Sequence, residues 1–313
     1  MKKTSIYVIL ILFLIVIFKQ VNKQFKTEST PDVVVKNILE LNNSELHHTC
    51  VYSNNNVEEI TNSLKNKVSE VNDYLKKYKV YVSYEEFDNK YYYGYRDNSI
   101  LYGASLIKLV DSLYVLDNDI DINKTVKYTN SYYNTHNKGL KNNKVGDNIT
   151  YKDLITYALS VSDNGAHEML IDNIGLYNIK KYANSLGATS TLTGGDKYGN
   201  QTAKDTSIYL KRLYELRDKP NYQFIIDAMI NDFHSYLSVD NLTVAHKYGF
   251  YSDKFHDIGI VFDEHPYSIS VLTLHAKNNY KEIINNVSKK VNELHDEYWN
   301  LKNEYCEKLI TGE

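Results

Sequence analysis

Apolar side chains recur at three- and four-residue steps in two places along the chain. Val57, Ile60, Leu64, Val68, Val71 and Leu75 put one stripe on a helix near the start of the ordered part. Ile284, Val287, Val291, Leu294, Tyr298, Leu301 and Tyr305 do the same over about six turns at its end. A stripe that long covers a sheet or joins a coiled coil, and with one other stripe to partner it, packing on a sheet is the expectation. Five short strands are predicted, at residues 79–84, 90–95, 244–250, 255–262 and 267–274, the first two parted by the turn-prone Asp88 and Asn89. Residues 105–235 read mostly as helices. Thr150 with Asp153, and Thr202 with Asp205, have the spacing that caps a helix start, and Gly187 sits where a helix from Leu176 stops. If the strands form one sheet with the first and last helices on one face, the helical block becomes an inserted lobe. A cleft between lobes is then the place for chemistry.

The chain begins differently. Residues 5–18 (SIYVILILFLIVIF) are apolar throughout, with Lys2 and Lys3 before them and Lys19 after, the make-up of an export segment. The run is shorter than the roughly 20 residues of a bilayer span, but Lys19 and Lys23 can snorkel and extend it. No small-x-small cleavage pattern or lipid-acceptor cysteine follows. An uncleaved signal anchor over residues 1–24 is therefore preferred to a cleaved signal peptide, with residues 25–50 as a spacer and residues 51–313 as the working domain. That domain is expected as a monomer on the outer face of the membrane, or secreted if the signal is cut.

Charge narrows the partners. Thirty-six basic against 39 acidic residues leave a net charge of −3, and the arginines are only Arg96, Arg212 and Arg217, so nucleic acid is a poor candidate. The 30 tyrosines look like coding bias and point to no particular chemistry. Cys50 and Cys306 lie near opposite ends of the chain, so they make neither a clustered metal site nor a disulfide framework. They pair only if the termini meet, and two unpaired thiols are the plainer expectation. His167 with Glu168 lacks the second histidine of a His-Glu-x-x-His zinc helix, which leaves His167 on a helix surface or in the core. Phosphate-loop and dinucleotide fingerprints are absent, and no metal or cofactor is called for.

Three groups of residues can carry chemistry. Ser105 opens the run ASLIKLVDSLYVL, apolar on nearly every side and so a buried helix, with Lys108 inside it. A buried ammonium needs a partner or a lowered pKa, and the i, i+3 spacing places it beside the Ser105 hydroxyl, giving a nucleophile with a base in reach. Ser162, Asp163 and Asn164 lie where one helix passes into another, a position equally natural for a helix cap. Lys247 lies in the strand VAHKYGF on the same face as Ala245 and Gly249, whose small size leaves room above the strand; an edge lysine that discourages aggregation is the alternative.

Taken in order, Ser-x-x-Lys, Ser-Asp-Asn and Lys-x-Gly resemble the motif set of class A β-lactamases and penicillin-binding proteins. The resemblance runs over residues 57–277 through YGASLIKL, TYKDLITYALSVSDNGAHEMLID, GNQTAKDTSIYLKRLYEL and AHKYGF with HDIGIVF. It implies an α/β fold of the α+β type: a five-stranded antiparallel sheet flanked by N- and C-terminal helices, with an inserted all-helical lobe. It also implies that Ser105 attacks a β-lactam or a cell-wall peptide amide, Lys108 takes its proton and Ser162 relays a proton to the leaving nitrogen. Lys247 would hold Ser162 and the substrate carboxylate, and Asn164 the acylamide side chain. The N–H groups of Ser105 and Phe250, the latter next to Gly249, would form an oxyanion hole.

Two departures stand out. Tyr248 replaces the usual threonine of Lys-Thr-Gly, and no arginine falls in the last strands to meet a carboxylate. The family's deacylating Glu-x-x-x-Asn is missing downstream of Ser-Asp-Asn; Asp196 and Asn200 share its spacing, but TGGDKYGN reads more simply as a surface turn. The expected activity is β-lactam hydrolysis. The alternatives are a penicillin-sensitive D-Ala-D-Ala peptidase-like enzyme with poor deacylation and a non-catalytic domain that binds wall fragments.

Overall fold

The computed structural model describes residues 43–53, 57–88, 90–133, 137–230, 236–237, 239, 242–275 and 279–312. The expected export segment at residues 5–18 and most of the expected spacer lie outside these. In chain order the elements are α1 (Asn43–Val51), α2 (Val57–Ser63), α3 (Lys65–Leu75), β1 (Val80–Glu86), β2 (Tyr92–Tyr95) and β3 (Leu101–Tyr102). A short 3-10 turn over Ala104–Leu106 leads into α4 (Ile107–Asp117), followed by β4 (Thr125–Lys127), β5 (Asn148–Thr150), α5 (Tyr151–Ser160), α6 (Asn164–Ile174) and α7 (Leu176–Leu186). Then come β6 (Asn200–Gln201), α8 (Ala203–Leu216), α9 (Gln223–Ile230), β7 (Thr243–Tyr251), β8 (Lys254–Phe262), β9 (Tyr267–Thr273) and α10 (Tyr280–Thr311). Among the described residues, no helix is long and apolar enough to cross a membrane.

Two compact units emerge: Thr61–Glu297, and the described residues up to Ile60 together with those from Tyr298. In the larger unit the five predicted strands form one antiparallel sheet in the order β2-β1-β9-β8-β7. Period-two alternation gives that sheet two chemically different faces. One face carries Ser83 and Ser270, directly paired across β1 and β9, where small hydroxyls let α8 approach closely. Ser83 Oγ donates to the Ala203 carbonyl at 2.7 Å, and Thr206 Oγ1 to Ser270 Oγ at 2.9 Å. The same face carries Lys247, and Gly249 opposed in register to His256 across β7 and β8. The other face is aromatic: Tyr84 and Tyr267 pack with ring centroids 5.3 Å apart beside His295 of α10.

Helix ends follow the local chemistry. Thr150 Oγ1 accepts from Asp153 N at 3.0 Å and Thr202 Oγ1 from Asp205 N at 2.9 Å, and Gly187 closes α7 in the left-handed region at φ 99°. The single N-terminal helix expected from the stripe is broken into α2 and α3 at Leu64, which is fully buried. Within residues 105–235 two small ladders, β4 with β5 and β6 with β3, interrupt an otherwise helical block.

The smaller unit corrects two expectations. Residues 43–50, placed at the end of the spacer, lie in the helix α1, and Cys50 and Cys306 are not free thiols but form a disulfide, with Cα atoms 5.7 Å apart. The reason is that residues 50–53 meet the last helix. Lys302 Nζ donates to the Ser53 carbonyl at 2.6 Å, and the Tyr52 ring lies 5.9 Å from that of Trp299. Helix α1 lacks an apolar stripe and is held by this covalent and polar anchoring.

Candidate active site

Ser105 lies in the 3-10 turn that opens α4, half-buried, and the residue before it, Ala104, takes the left-handed conformation at φ 49°. Such a conformation costs a non-glycine residue roughly 1–2 kcal/mol and persists where the surroundings dictate it. Here the constraint comes from β7. A Cβ on Gly249 would stand 2.6 Å from the Gly103 carbonyl oxygen and 3.2 Å from Leu106 Cγ, so only glycine lets the strand lie against the serine turn.

Lys108, in the first turn of α4, is fully buried. Its amine donates to the Ser162 carbonyl at 2.8 Å, to Ser162 Oγ at 3.2 Å and to Asn164 Oδ1 at 2.8 Å. Where the spacing alone places the amine beside Ser105 Oγ, its hydrogen bonds go to Ser162 and Asn164. The cause is the conformation of Ser162, left-handed at φ 55°, which turns carbonyl and hydroxyl toward α4. Burial, with the positive charge of Lys247 second, holds the Lys108 amine well below the ordinary lysine range against the opposing pull of Asp163 and Asp111. A buried lysine of lowered basicity, one helical turn from a serine and bonded to another, is suited to take and pass protons.

Asp163 fixes this corner. Its Oδ1 caps α6 through Ala166 N at 2.9 Å, while Oδ2 accepts from Gly139 N at 2.8 Å and Leu140 N at 3.0 Å. The middle residue of Ser-Asp-Asn is thus a clamp between a helix start and the preceding loop, and its neighbours on either side meet Lys108.

Lys247 is fully buried on β7; its amine donates to the Tyr248 carbonyl at 3.1 Å and lies 4.3 Å from the centre of the Tyr248 ring. Tyr248, on the opposite face, lies parallel to the Phe255 ring at 5.8 Å. Phe250 stands exposed at the strand's end. Asp196 is exposed, as a surface turn implies, and its Oδ1 accepts from the Tyr102 hydroxyl at 3.0 Å and from Tyr198 N at 2.8 Å.

Two polar arrangements around the site have no motif to announce them. His256 of β8 accepts from Thr273 N at Nδ1 (3.1 Å), so Nε2 carries the proton and donates to the Tyr102 carbonyl at 3.0 Å. Burial lowers its pKa to about 4, and the neutral ring braces the chain just before the serine turn. His167, expected on a surface or in the core, is in the core, with Nδ1 2.6 Å from Asp111 Oδ2. The spacing that would find this pair is visible: Asp111 is three residues after Lys108 and His167 three after Asn164. Among the described residues, no group of His, Cys, Asp and Glu is arranged to hold a metal.

An antiparallel sheet with a helical lobe, and a serine–lysine–serine constellation where they adjoin, define a serine hydrolase fold of the β-lactamase kind. Residues 63–295 match the beta-lactamase enzyme family, and the chain belongs to it. Solved structures agree. TLA-3 extended-spectrum β-lactamase superposes with a TM-score of 0.64 at 22% identity, over 74% of this chain and 98% of that one. The class A β-lactamase of Clostridium kluyveri superposes at 0.62 and 22%, over 73% and 98%. A mutant of PBP-A, captured as an acyl-enzyme complex with penicillin G, superposes at 0.67 and 14%, over 74% and 97%. At these identities the likeness is one of fold. No curated protein matches the chain.

Proposed function

We propose that this protein is an exported serine hydrolase that opens β-lactam amides, or the corresponding amide of a cell-wall peptide, through an acyl-Ser105 intermediate. The observation that carries this reading is the Lys108 amine, fully buried, depressed in basicity and hydrogen-bonded to both Ser162 and Asn164. In the proposed sequence Lys108 takes the Ser105 proton as Oγ attacks the carbonyl carbon. The proton passes through Ser162 to the leaving nitrogen, and the N–H groups of Ser105 and Phe250 stabilise the oxyanion. Lys247, whose charge acts on Lys108, supplies positive charge for the substrate carboxylate, and Asn164 orients the acylamide. Water then releases the acid. The export signature of residues 5–18 and the Cys50–Cys306 disulfide both suit a location outside the reducing cytoplasm, where such substrates lie.

Asp196 favours a second reading at the release step. Its carboxylate is engaged by Tyr102 and Tyr198 in an exposed turn, a poor arrangement for a water-activating base. Acylation followed by slow release describes a penicillin-sensitive peptidase or sensor better than a resistance enzyme. An intact-mass time course of the full chain with benzylpenicillin, beside Ser105→Ala, tests both readings. A transient adduct with product accumulation supports hydrolysis, and a lasting adduct supports the penicillin-sensitive reading. No adduct at any time overturns the β-lactam reading.

A further inference from the structure

We infer that Asp111 and His167 form a positioning pair for Lys108, in which the Asp111 carboxylate is the counter-charge for the ammonium created when Lys108 takes the Ser105 proton. This rests on the acyl-serine reading above and adds to it two residues outside the three motifs.

The placement follows from helical register. Asp111 lies one turn below Lys108 on α4, and His167 one turn below Asn164 on α6, so the pair repeats the Lys108–Asn164 contact one layer deeper. Both side chains are fully buried, with His167 Nδ1 2.6 Å from Asp111 Oδ2. The outer atoms, Asp111 Oδ1 and His167 Nε2, are buried without a hydrogen-bond partner. Leaving such atoms unsatisfied is costly, and an apolar pair of similar volume would serve stability as well or better, so stability alone does not account for the pair. The Tyr198 ring connects the two layers, lying 4.7 Å from the His167 ring and 5.8 Å from Lys108 Nζ.

The charges around Lys108 make a counter-ion necessary. Lys247 on β7 and Lys138 in the loop before α5 oppose its protonation, whereas Asp163 and Asp111 favour it. Asp163 is already committed to Gly139 N, Leu140 N and Ala166 N. Asp111 faces His167 from α6 and interacts with Tyr209 of α8 and with Tyr198, both of them tyrosines whose pKa is raised above the ordinary range mainly by burial. Burial pushes the Asp111 carboxyl up, and His167 opposes that rise ahead of Lys108; His167 is therefore the partner that positions the group and favours its ionised form, and through it the readiness of Lys108 to accept a proton.

The test uses the full chain and two readouts: the rate of benzylpenicillin adduct formation against pH by intact mass, and the titration of Lys108 followed by its 13Cε resonance, assigned by loss in Lys108→Met. Asp111→Asn keeps the shape and the bond to His167 and removes the charge. The expected result is a fall in the Lys108 titration midpoint of about one pH unit or more. The acid limb of the acylation profile should move down with it, and the plateau rate should drop about tenfold because a weaker base remains. Asp111→Leu with His167→Ala, an apolar replacement, should give the same displacement, and it decides the matter if Asp111→Asn does not fold. An unchanged Lys108 midpoint in a folded variant overturns the inference. If the unaltered chain forms no adduct at any pH, the acyl-serine reading fails, while the Lys108 titration still decides whether the pair governs its charge.

Discussion

His295 Nδ1 lies 2.6 Å from Glu86 Oε1, joining α10 to the end of β1 on the aromatic face of the sheet. The ring's other nitrogen is 2.9 Å from Asp263 Oδ2, so one imidazole bridges two carboxylates. Burial by itself would lower the histidine's pKa, but its hydrogen bonds to Asp263 and Glu86 and their charges outweigh this and raise it to about 9. A folded-state value above the unfolded one gives stability that is fully present below about pH 6.5 and is lost as the pH climbs through 9. Thermal unfolding should show Tm falling between pH 7 and 9.5, by an amount corresponding to at most about 3 kcal/mol. His295→Gln should flatten that slope.

The acid side is expected to depend on His256. Its pKa is lowered to about 4, mainly by burial, so its stabilising contribution is present above about pH 6.5 and is lost as the pH falls through 4. Because the ring braces the Tyr102 carbonyl, adduct formation should decline reversibly over the same window in the unaltered chain. His256→Gln, which retains a donor for that carbonyl, should be less sensitive. Acylation rates measured from pH 6.5 to 4 with both proteins decide this.

Gly249→Ala should damage both the fold and the site. The added carbon would meet the Gly103 carbonyl at 2.6 Å, and a backbone neighbour cannot rotate away. Urea unfolding should show a loss of about 1–3 kcal/mol. Adduct formation should slow by about a hundredfold as the strand is pushed off the serine turn.

The Cys50–Cys306 disulfide joins residues 256 apart in sequence. Closing so long a loop restricts the unfolded chain strongly, and Cys50→Ser with Cys306→Ser should cost about 5 kcal/mol in denaturant unfolding. Reduction of the unaltered protein should produce the same shift.

Much of the frame was legible because it rests on local periodicity. The five strands and the threonine caps at Thr150 and Thr202 needed only their immediate neighbours, and the apolar run around Lys108 showed that the lysine would be buried. What stayed hidden depended on distant backbone. The partner of His256 is a carbonyl 154 residues away, which no spacing announces. Lys108 turns to Ser162 because that serine adopts a left-handed conformation, and nothing in its side chain prescribes one. Helix α1 escaped notice for a related reason: its residues carry no apolar stripe, and its order comes from Lys302 and Cys306 at the far end of the chain.

The bond between Cys50 and Cys306 also makes the covalent chain a ring from the first described helix to the last. A protease that cuts once within that ring, for instance in the exposed turn around Gly146, leaves every residue still attached to every other. Only a second cut, or a cut combined with a reductant, sets a piece free. For a protein proposed to work outside the cytoplasm, a single nick therefore opens the circle without dividing the molecule.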